Sequence, residues 1–255
     1  MSMDNIIAAD LGNSRIKLLT GDNLVSYEYI ENWIKRVDNF LPDGTKVFYS
    51  SVNREREEEL LSSPDITEDA IFINVKPMLE KEKIIKYRHI EGVGTDRVLG
   101  LVGALAMGKS PLITVDCGTA VTLDALNDEN EGIVGSIFPG AETQLRSLLN
   151  SSEEIKKLYK TSEKNIFKNA AFDKPAGKNT VEAVQNGIMH SVAGGVFSVI
   201  QKIKENHTEN DEIRIFTTGG YGKAVSEALR SMGLDARHVQ SLVLEGILKI
   251  AGNNK

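Results

Sequence analysis

A single cysteine, Cys117, stands in 255 residues. No intramolecular disulfide can form, a cysteine-ligated metal site is excluded, and a reducing compartment fits. The four histidines, His89, His190, His207 and His238, show no paired metal-ligand spacing. Long apolar runs are missing too. No segment approaches the roughly 20 apolar residues needed to span a bilayer, and Met1–Asp10 has no basic leader before the short run Ile6-Ile7-Ala8-Ala9. A soluble, cytoplasmic protein with no membrane partner is expected. Basic charge is also short: 30 Lys and Arg against 36 Asp and Glu give a net charge of −6, with the basic residues scattered. That argues against a nucleic-acid partner, which a basic stripe would announce. Neither a Gly-x-x-x-x-Gly-Lys-Ser/Thr loop nor a Gly-rich dinucleotide fingerprint occurs.

What the chain does contain is an internal echo. Residues 6–20 read IIAADLGNSRIKLLT and residues 112–126 read LITVDCGTAVTLDAL. Each is an apolar run, then Asp-x-Gly-polar, then a second β-rich run, which is the pattern of a β-hairpin. The repeat predicts two similar lobes, each opened by a strand-turn-strand unit. Further elements alternate: a helix around Ile30–Phe40, strands at Lys46–Ser50 and Ala70–Val75, and helices at Arg54–Leu61 and Thr95–Met107. Gly108-Lys109-Ser110-Pro111 marks the lobe boundary, giving lobes of residues 1–108 and 109–255. Beyond it come a strand at Gly132–Ile137, a turn at Phe138-Pro139-Gly140, and an irregular stretch near Asn169–Lys178. A capped helix from Asn179 to about Lys204, a strand at Arg214–Thr217 and a helix at Ala224–Met232 complete the reading. This is an α/β protein.

Asp10-Leu11-Gly12-Asn13-Ser14 and Asp116-Cys117-Gly118-Thr119-Ala120 carry the candidate chemistry. A glycine in such a turn lets backbone amides approach a phosphate, and Asn13, Ser14 and Lys17 add hydrogen bonds and charge. An aspartate beside phosphates needs a cation between them, so Asp10 points to hydrated Mg²⁺. The plain alternative is a tight hairpin in which the aspartate caps its own turn. Two such turns facing each other form a cleft for a nucleoside triphosphate. Gly94-Thr95-Asp96-Arg97 places an aspartate that can accept a hydroxyl proton beside an arginine that can fork onto a carboxylate or phosphate. The competing reading has Asp96 complementing the helix dipole. Thr218-Gly219-Gly220 can let a nucleoside lie on bare backbone, or can be an ordinary strand-to-helix turn. Cys117 and Trp33 (spaced helically from Ile30) read as core, and Arg54–Glu59 as a solvated face. Ser50-Ser51 is a strand end or faces the cleft.

In order, Asp-x-Gly-Asn-Ser, Ser-Ser-Val, Gly-x-Asp-Arg, Asp-x-Gly-Thr-Ala, a Pro-Gly turn, Asn-Thr before a helix, and Thr-Gly-Gly span residues 6–222. This set resembles the type III pantothenate kinases. The resemblance implies an actin-like fold of two ribonuclease-H-like lobes with an ATP cleft between them, a homodimer, and ATP-dependent phosphorylation of pantothenate towards coenzyme A. It implies Asp96 as general base on the pantothenate hydroxyl. Asp10, Leu11, Gly12, Asn13, Ser14, Arg15, Ile16 and Lys17 would form the first phosphate loop, with Asp10 near Mg²⁺. Thr119, Gly219 and Gly220 would meet ATP, and Asp116 would help hold a monovalent cation, K⁺ or NH₄⁺. Tyr87, Gly94, Thr95, Asp96, Arg97 and Thr180 would line the pantothenate pocket. The departures are Ser136, where the family usually has glycine, and Ser14 for the commoner threonine. Two rivals are another phosphotransferase or phosphohydrolase of the superfamily and a non-catalytic regulator. Tyr87 with Gly94–Arg97 speaks against the first, and intact Asp10, Asp96 and Asp116 against the second.

Overall fold

Ile6–Leu11 is apolar at every position but Asp10, and Arg15–Thr20 brings apolar residues back at Ile16, Leu18 and Leu19. The two segments can therefore bury one sheet face if Gly12 turns the chain between them. In the computed structural model, which describes residues 6–82, 84–85, 93–159, 167, 177–205 and 212–253, they are β1 (Ile6–Leu11) and β2 (Arg15–Thr20), paired antiparallel. The chain continues through β3 (Asn23–Glu28), α1 (Trp33–Asp38), β4 (Lys46–Ser51), α2 (Arg54–Leu61), β5 (Ile71–Asn74), α3 (Lys76–Glu82) and α4 (Thr95–Met107). The echo follows as β6 (Leu112–Cys117) and β7 (Ala120–Leu126), then β8 (Gly132–Pro139), α5 (Ala141–Ser151), α6 (Glu153–Leu158) and α7 (Thr180–Glu205). Last come β9 (Arg214–Thr218), α8 (Gly222–Ser231), β10 (Ala236–His238) and α9 (Leu242–Asn253). No helix among the described residues is long and apolar enough to cross a membrane.

The echo is a repeat of topology. The first sheet runs β3-β2-β1-β4-β5 and the second β10-β9-β6-β7-β8. In each, the opening strand pairs antiparallel with the next, that one antiparallel with the third, and two later strands join parallel beside the first. Each unit is thus α/β with one ribonuclease-H-like strand order. Asp10 and Asp116 hold the same place, next to last in the opening strand. Asp10 lies opposite Lys17 and Ser50, and Asp116 opposite Thr122 and Thr218.

The chain divides into one compact unit of Met1–Lys109 with Ser241–Lys255 and a second of Ser110–Gln240. The second lobe expected to run to residue 255 therefore stops at Gln240. In α9, Leu242, Val243, Leu244, Gly246, Ile247, Ile250 and Ala251 are buried, and the helix packs on α4 and on β1. Two glycines let it come close. A Cβ on Gly103 would stand 2.0 Å from the Leu242 carbonyl oxygen, and one on Gly246 2.0 Å from that of Leu99.

In the first sheet, Ile7, Ala9, Leu11, Val47 and Tyr49 face a core completed by Trp33, Val37 and Leu60. Strand alternation sends Ala8, Asp10, Phe48 and Ser50 to the other face, where α4 and α9 pack. The second sheet buries Ile113, Val115, Cys117, Val121 and Leu123 with Val192 and Val196 of α7 and Val225 and Leu229 of α8.

Some local expectations shift. Trp33 is core, but Ile30 precedes α1 and is 53% exposed, so the two form no helical pair. The Arg54–Glu59 face is partly engaged: Glu57 accepts from the Tyr49 hydroxyl at 2.8 Å and Glu59 from the Trp33 indole at 3.2 Å. Phe138-Pro139 belongs to β8, not to a turn. Between the pairs Thr122–Ile137 and Asp124–Val134, Gly135 and Ser136 together oppose Leu123, a β-bulge. Ser136 thus sits in a bulge, beside a Gly135 whose missing Cβ would lie 2.5 Å from the Leu123 carbonyl oxygen. Most of the irregular stretch placed at Asn169–Lys178 lies outside the described residues.

Candidate active site

The first turn is held from below. Its Gly12 amide donates to the Arg15 carbonyl at 3.1 Å, and its Gly12 carbonyl accepts from the Tyr29 hydroxyl at 3.0 Å. Tyr29 stacks edge-on against Trp33 with ring centroids 4.9 Å apart, and the Arg56 guanidinium lies over its ring. Burial, then the negative charge of Asp10, push the Tyr29 phenol well above its ordinary value. The group therefore stays a donor. Asp10 is 6% exposed, with Lys17 Nζ 3.7 Å from its Oδ2. Asn13 and Ser14 are exposed at the tip, whereas Leu11 and Ile16 turn into the core and leave only backbone for a ligand. Arg15 pairs with Glu28 at 3.6 Å.

Asp96 is in the first turn of α4, capped by Gly94 without a side-chain hydrogen bond. Its Oδ1 accepts from the Arg97 amide at 2.9 Å. The same oxygen lies 2.5 Å from where a Cβ of Gly94 would be, so the glycine leaves room for the carboxylate to fold back. Thr95, Asp96 and Arg97 are partly exposed. Helix α4 packs against β4, on the sheet face that carries Asp10 and Ser50.

In the second unit three backbone turns converge. Gly219, at φ +90°, sets its bare Cα where a Cβ would be 2.5 Å from both Asp116 Oδ1 and the Cys117 carbonyl oxygen. Gly140 does the same against Gly118 and Thr119: its amide donates to the Thr119 carbonyl at 2.9 Å, and a Cβ would be 2.1 Å from the Gly118 oxygen. Thr143 Oγ1 donates to that Thr119 carbonyl at 2.7 Å. Tyr221 ties them together. Its hydroxyl donates to the Gly118 carbonyl at 3.0 Å and accepts from the Ala141 amide at 3.1 Å. Burial first, then the neighbourhood of Cys117, raises its pKa, while the Ala141 amide opposes the rise. Burial likewise raises the Cys117 thiol, which stays an unreactive part of the core.

Comparison with known proteins decides what these turns belong to. The family model of the type III pantothenate kinases matches residues 6–202. The chain belongs to the type III pantothenate kinase family. A type III pantothenate kinase from a Sulfurihydrogenibium species is 30% identical, the match covering 95% of this chain and 97% of that one. Among solved structures, a Campylobacter jejuni protein described as a Baf family transcriptional activator matches with a TM-score of 0.57 at 20% identity, covering 97% and 98% of the two chains. The activator of 2-hydroxyisocaproyl-CoA dehydratase from Clostridium difficile, solved with bound ADPNP, matches at 0.53 and 12%, covering 98% and 95%. At such identities the likeness is one of fold, the actin-like fold with its two ribonuclease-H-like units. As a pantothenate kinase the protein is a phosphotransferase that phosphorylates pantothenate in coenzyme A biosynthesis.

Two further residues are expected at the pantothenate pocket, Thr180 and Tyr87. Thr180 is exposed at the first position of α7, where Asn179 Oδ1 accepts from the Glu182 amide at 3.0 Å and Glu182 Oε2 from the Lys178 amide at 2.9 Å. The capping role is real and leaves the threonine side chain outward. Tyr87, with His89 and His207, lies outside the described residues. His238 is held between Thr217 Oγ1 and Gln240. Among the described residues no three His, Cys, Asp or Glu side chains could hold a metal ion by themselves. Magnesium keeps several waters and needs only one or two carboxylates. Asp10 with the unpartnered Ser50 Oγ beside it suits a hydrated ion. The two oxygens converging at Gly219 suit a hard cation beside Asp116. Tyr29 and Tyr221 escaped the sequence reading because each lies far along the chain from the turn it supports.

Proposed function

We propose that this pantothenate kinase draws its phosphoryl group from ATP, with Asp96 positioned as the proton acceptor. The observation that carries the reading is Asp96 in the first turn of α4, on the sheet face that bears Asp10 at the end of β1. The hydroxyl oxygen of pantothenate forms a bond to the γ-phosphorus while the bond to the bridging oxygen of ADP breaks, and the hydroxyl proton passes to the Asp96 carboxylate. Phosphoryl transfer of this kind asks the protein mainly for positioning and charge neutralisation. In the first unit the amides around Gly12 and the charge of Lys17 serve the phosphates, and the family resemblance assigns Thr119, Gly219 and Gly220 of the second unit to ATP. Asp10 holds hydrated Mg²⁺ and Asp116 a K⁺ or NH₄⁺ ion, which supply charge where lysines are few. Arg97 forks onto the pantothenate carboxylate. The family resemblance adds Tyr87 and Thr180 to that pocket and a cytoplasmic homodimer as the working form.

ADP release with ATP, Mg²⁺ and pantothenate, compared in potassium, ammonium and sodium salts, tests the proposal. Pantothenate-dependent turnover that needs potassium or ammonium and falls by about 10²–10⁴ in Asp96→Asn is expected, the range of general-base catalysis. Turnover that is indifferent to Asp96→Asn refutes the assignment of the base.

A further inference from the structure

The two units place a hydroxyl in equivalent positions. Ser50 of β4 lies beside Asp10 as Thr218 of β9 lies beside Asp116. The pair differs in one respect. Thr218 Oγ1 donates to the Gln240 carbonyl at 3.4 Å, whereas Ser50, 1% exposed, has an Oγ with no hydrogen-bond partner. A buried hydroxyl left unsatisfied destabilises a fold by about 1–3 kcal/mol relative to a satisfied one. Alanine would fill the same space without that cost. The missing partner can arrive with a ligand. Its place narrows what that ligand is: the carboxyl ends of two adjacent parallel strands, where α/β sheets receive ligands, on the face shared with Asp10.

We propose that Ser50 is a binding residue for the divalent cation, its hydroxyl hydrogen-bonding a water in the shell of the ion that Asp10 serves. This rests on the reading of Asp10 as the cation's carboxylate. A hydroxyl can both donate to and accept from such a water, and a carboxylate on the adjacent strand can take a second one. Ser50 then completes a site that no cluster of carboxylates among the described residues provides. Thr218, already satisfied within its own unit, has no such role.

The test compares thermal midpoints of the full-length protein, wild type, Ser50→Ala and Asp10→Asn. Each is measured alone, with a non-hydrolysable ATP analogue in EDTA, and with the analogue plus Mg²⁺. For Ser50→Ala, we expect an unchanged or raised midpoint without ligand, unchanged binding in EDTA, and a magnesium-dependent gain in affinity reduced about fivefold, the size of one hydrogen bond. Ser50→Cys, somewhat larger but still offering a weak donor, should lose less. A lowered midpoint in the ligand-free Ser50→Ala protein would show the hydroxyl to be satisfied within the fold and overturns the proposal. So does an equal loss of affinity in EDTA and in Mg²⁺, or no loss in either. Asp10→Asn separates the two layers. If it leaves the magnesium-dependent gain intact, the reading of Asp10 fails first; if it abolishes the gain while Ser50→Ala does not, only the role of Ser50 fails.

Discussion

Gly103→Ala should damage this kinase at a distance, and Gly100→Ala in the same helix should strengthen it. A Cβ on Gly103 would lie 2.0 Å from the Leu242 carbonyl oxygen and 3.1 Å from the Gly246 amide, both backbone atoms of α9. Ordinary contact begins at 3.4 Å, so α4 and α9 must part by more than an ångström. Both helices are buried on several sides and cannot part without disturbing the sheet beneath them. Overpacking of this kind costs about 1–3 kcal/mol. The same shift moves Asp96, which rides on the first turn of α4. A displacement of about 1 Å in a catalytic group can lower the rate by about 10². Around a Cβ on Gly100 there is nothing within 4 Å, so that alanine gains helix propensity of roughly 0.5–1 kcal/mol. Denaturant unfolding and steady-state kinetics on both variants supply the check. A Gly103→Ala protein as stable and as fast as wild type, or a Gly100→Ala protein equally damaged, would refute the close crossing of α4 and α9.

Three further outcomes follow from the same geometry. Tyr221→Phe leaves the Gly118 carbonyl and the Ala141 amide without their shared hydroxyl and should lower stability by about 1–3 kcal/mol, with a raised KM for ATP; an unchanged KM would free Tyr221 from any part in the nucleotide site. Gly219→Ala must adopt φ +90° against Asp116 Oδ1 and the Cys117 carbonyl, a strain of about 1–3 kcal/mol, and should blunt the response to potassium or ammonium in the salt-dependence assay. In alkali, burial and the Glu57 hydrogen bond push the Tyr49 phenol up to about 12, while the unfolded phenol ionises near 10. Above pH 10 the unfolded state thus binds fewer protons, so stability is full below that pH and falls as pH rises towards 12; Tyr49→Phe should flatten this fall in thermal midpoints.

Much of the fold was legible because its signals are local. Asp-x-Gly turns between β-rich runs need only a dozen residues to declare a hairpin, and α4 declares itself by an apolar run between Gly94 and Gly108. The family was legible in the order of several short motifs. Asp10 and Lys17 could be placed together from sequence because pairing across a two-strand hairpin turned at Gly12 brings them opposite one another. Other features depend on residues distant in the chain. Nothing local assigns α9 to the first unit; an apolar helix at the end of a chain fits either unit until Gly103 and Gly246 are seen to interlock. Nothing local tells Ser50 from Thr218, since both are hydroxyls at strand ends, and only the carbonyl of Gln240 satisfies one and not the other. Tyr221 reaches turns that lie 80 and 103 residues away. The sequence by itself determined the two hairpins and their repeat and suggested the chemistry of each turn, because those follow from adjacent side chains, whereas β3 and β10 were not read from it. Which distant groups meet, and which buried hydroxyl is left without a partner, tertiary packing alone decided.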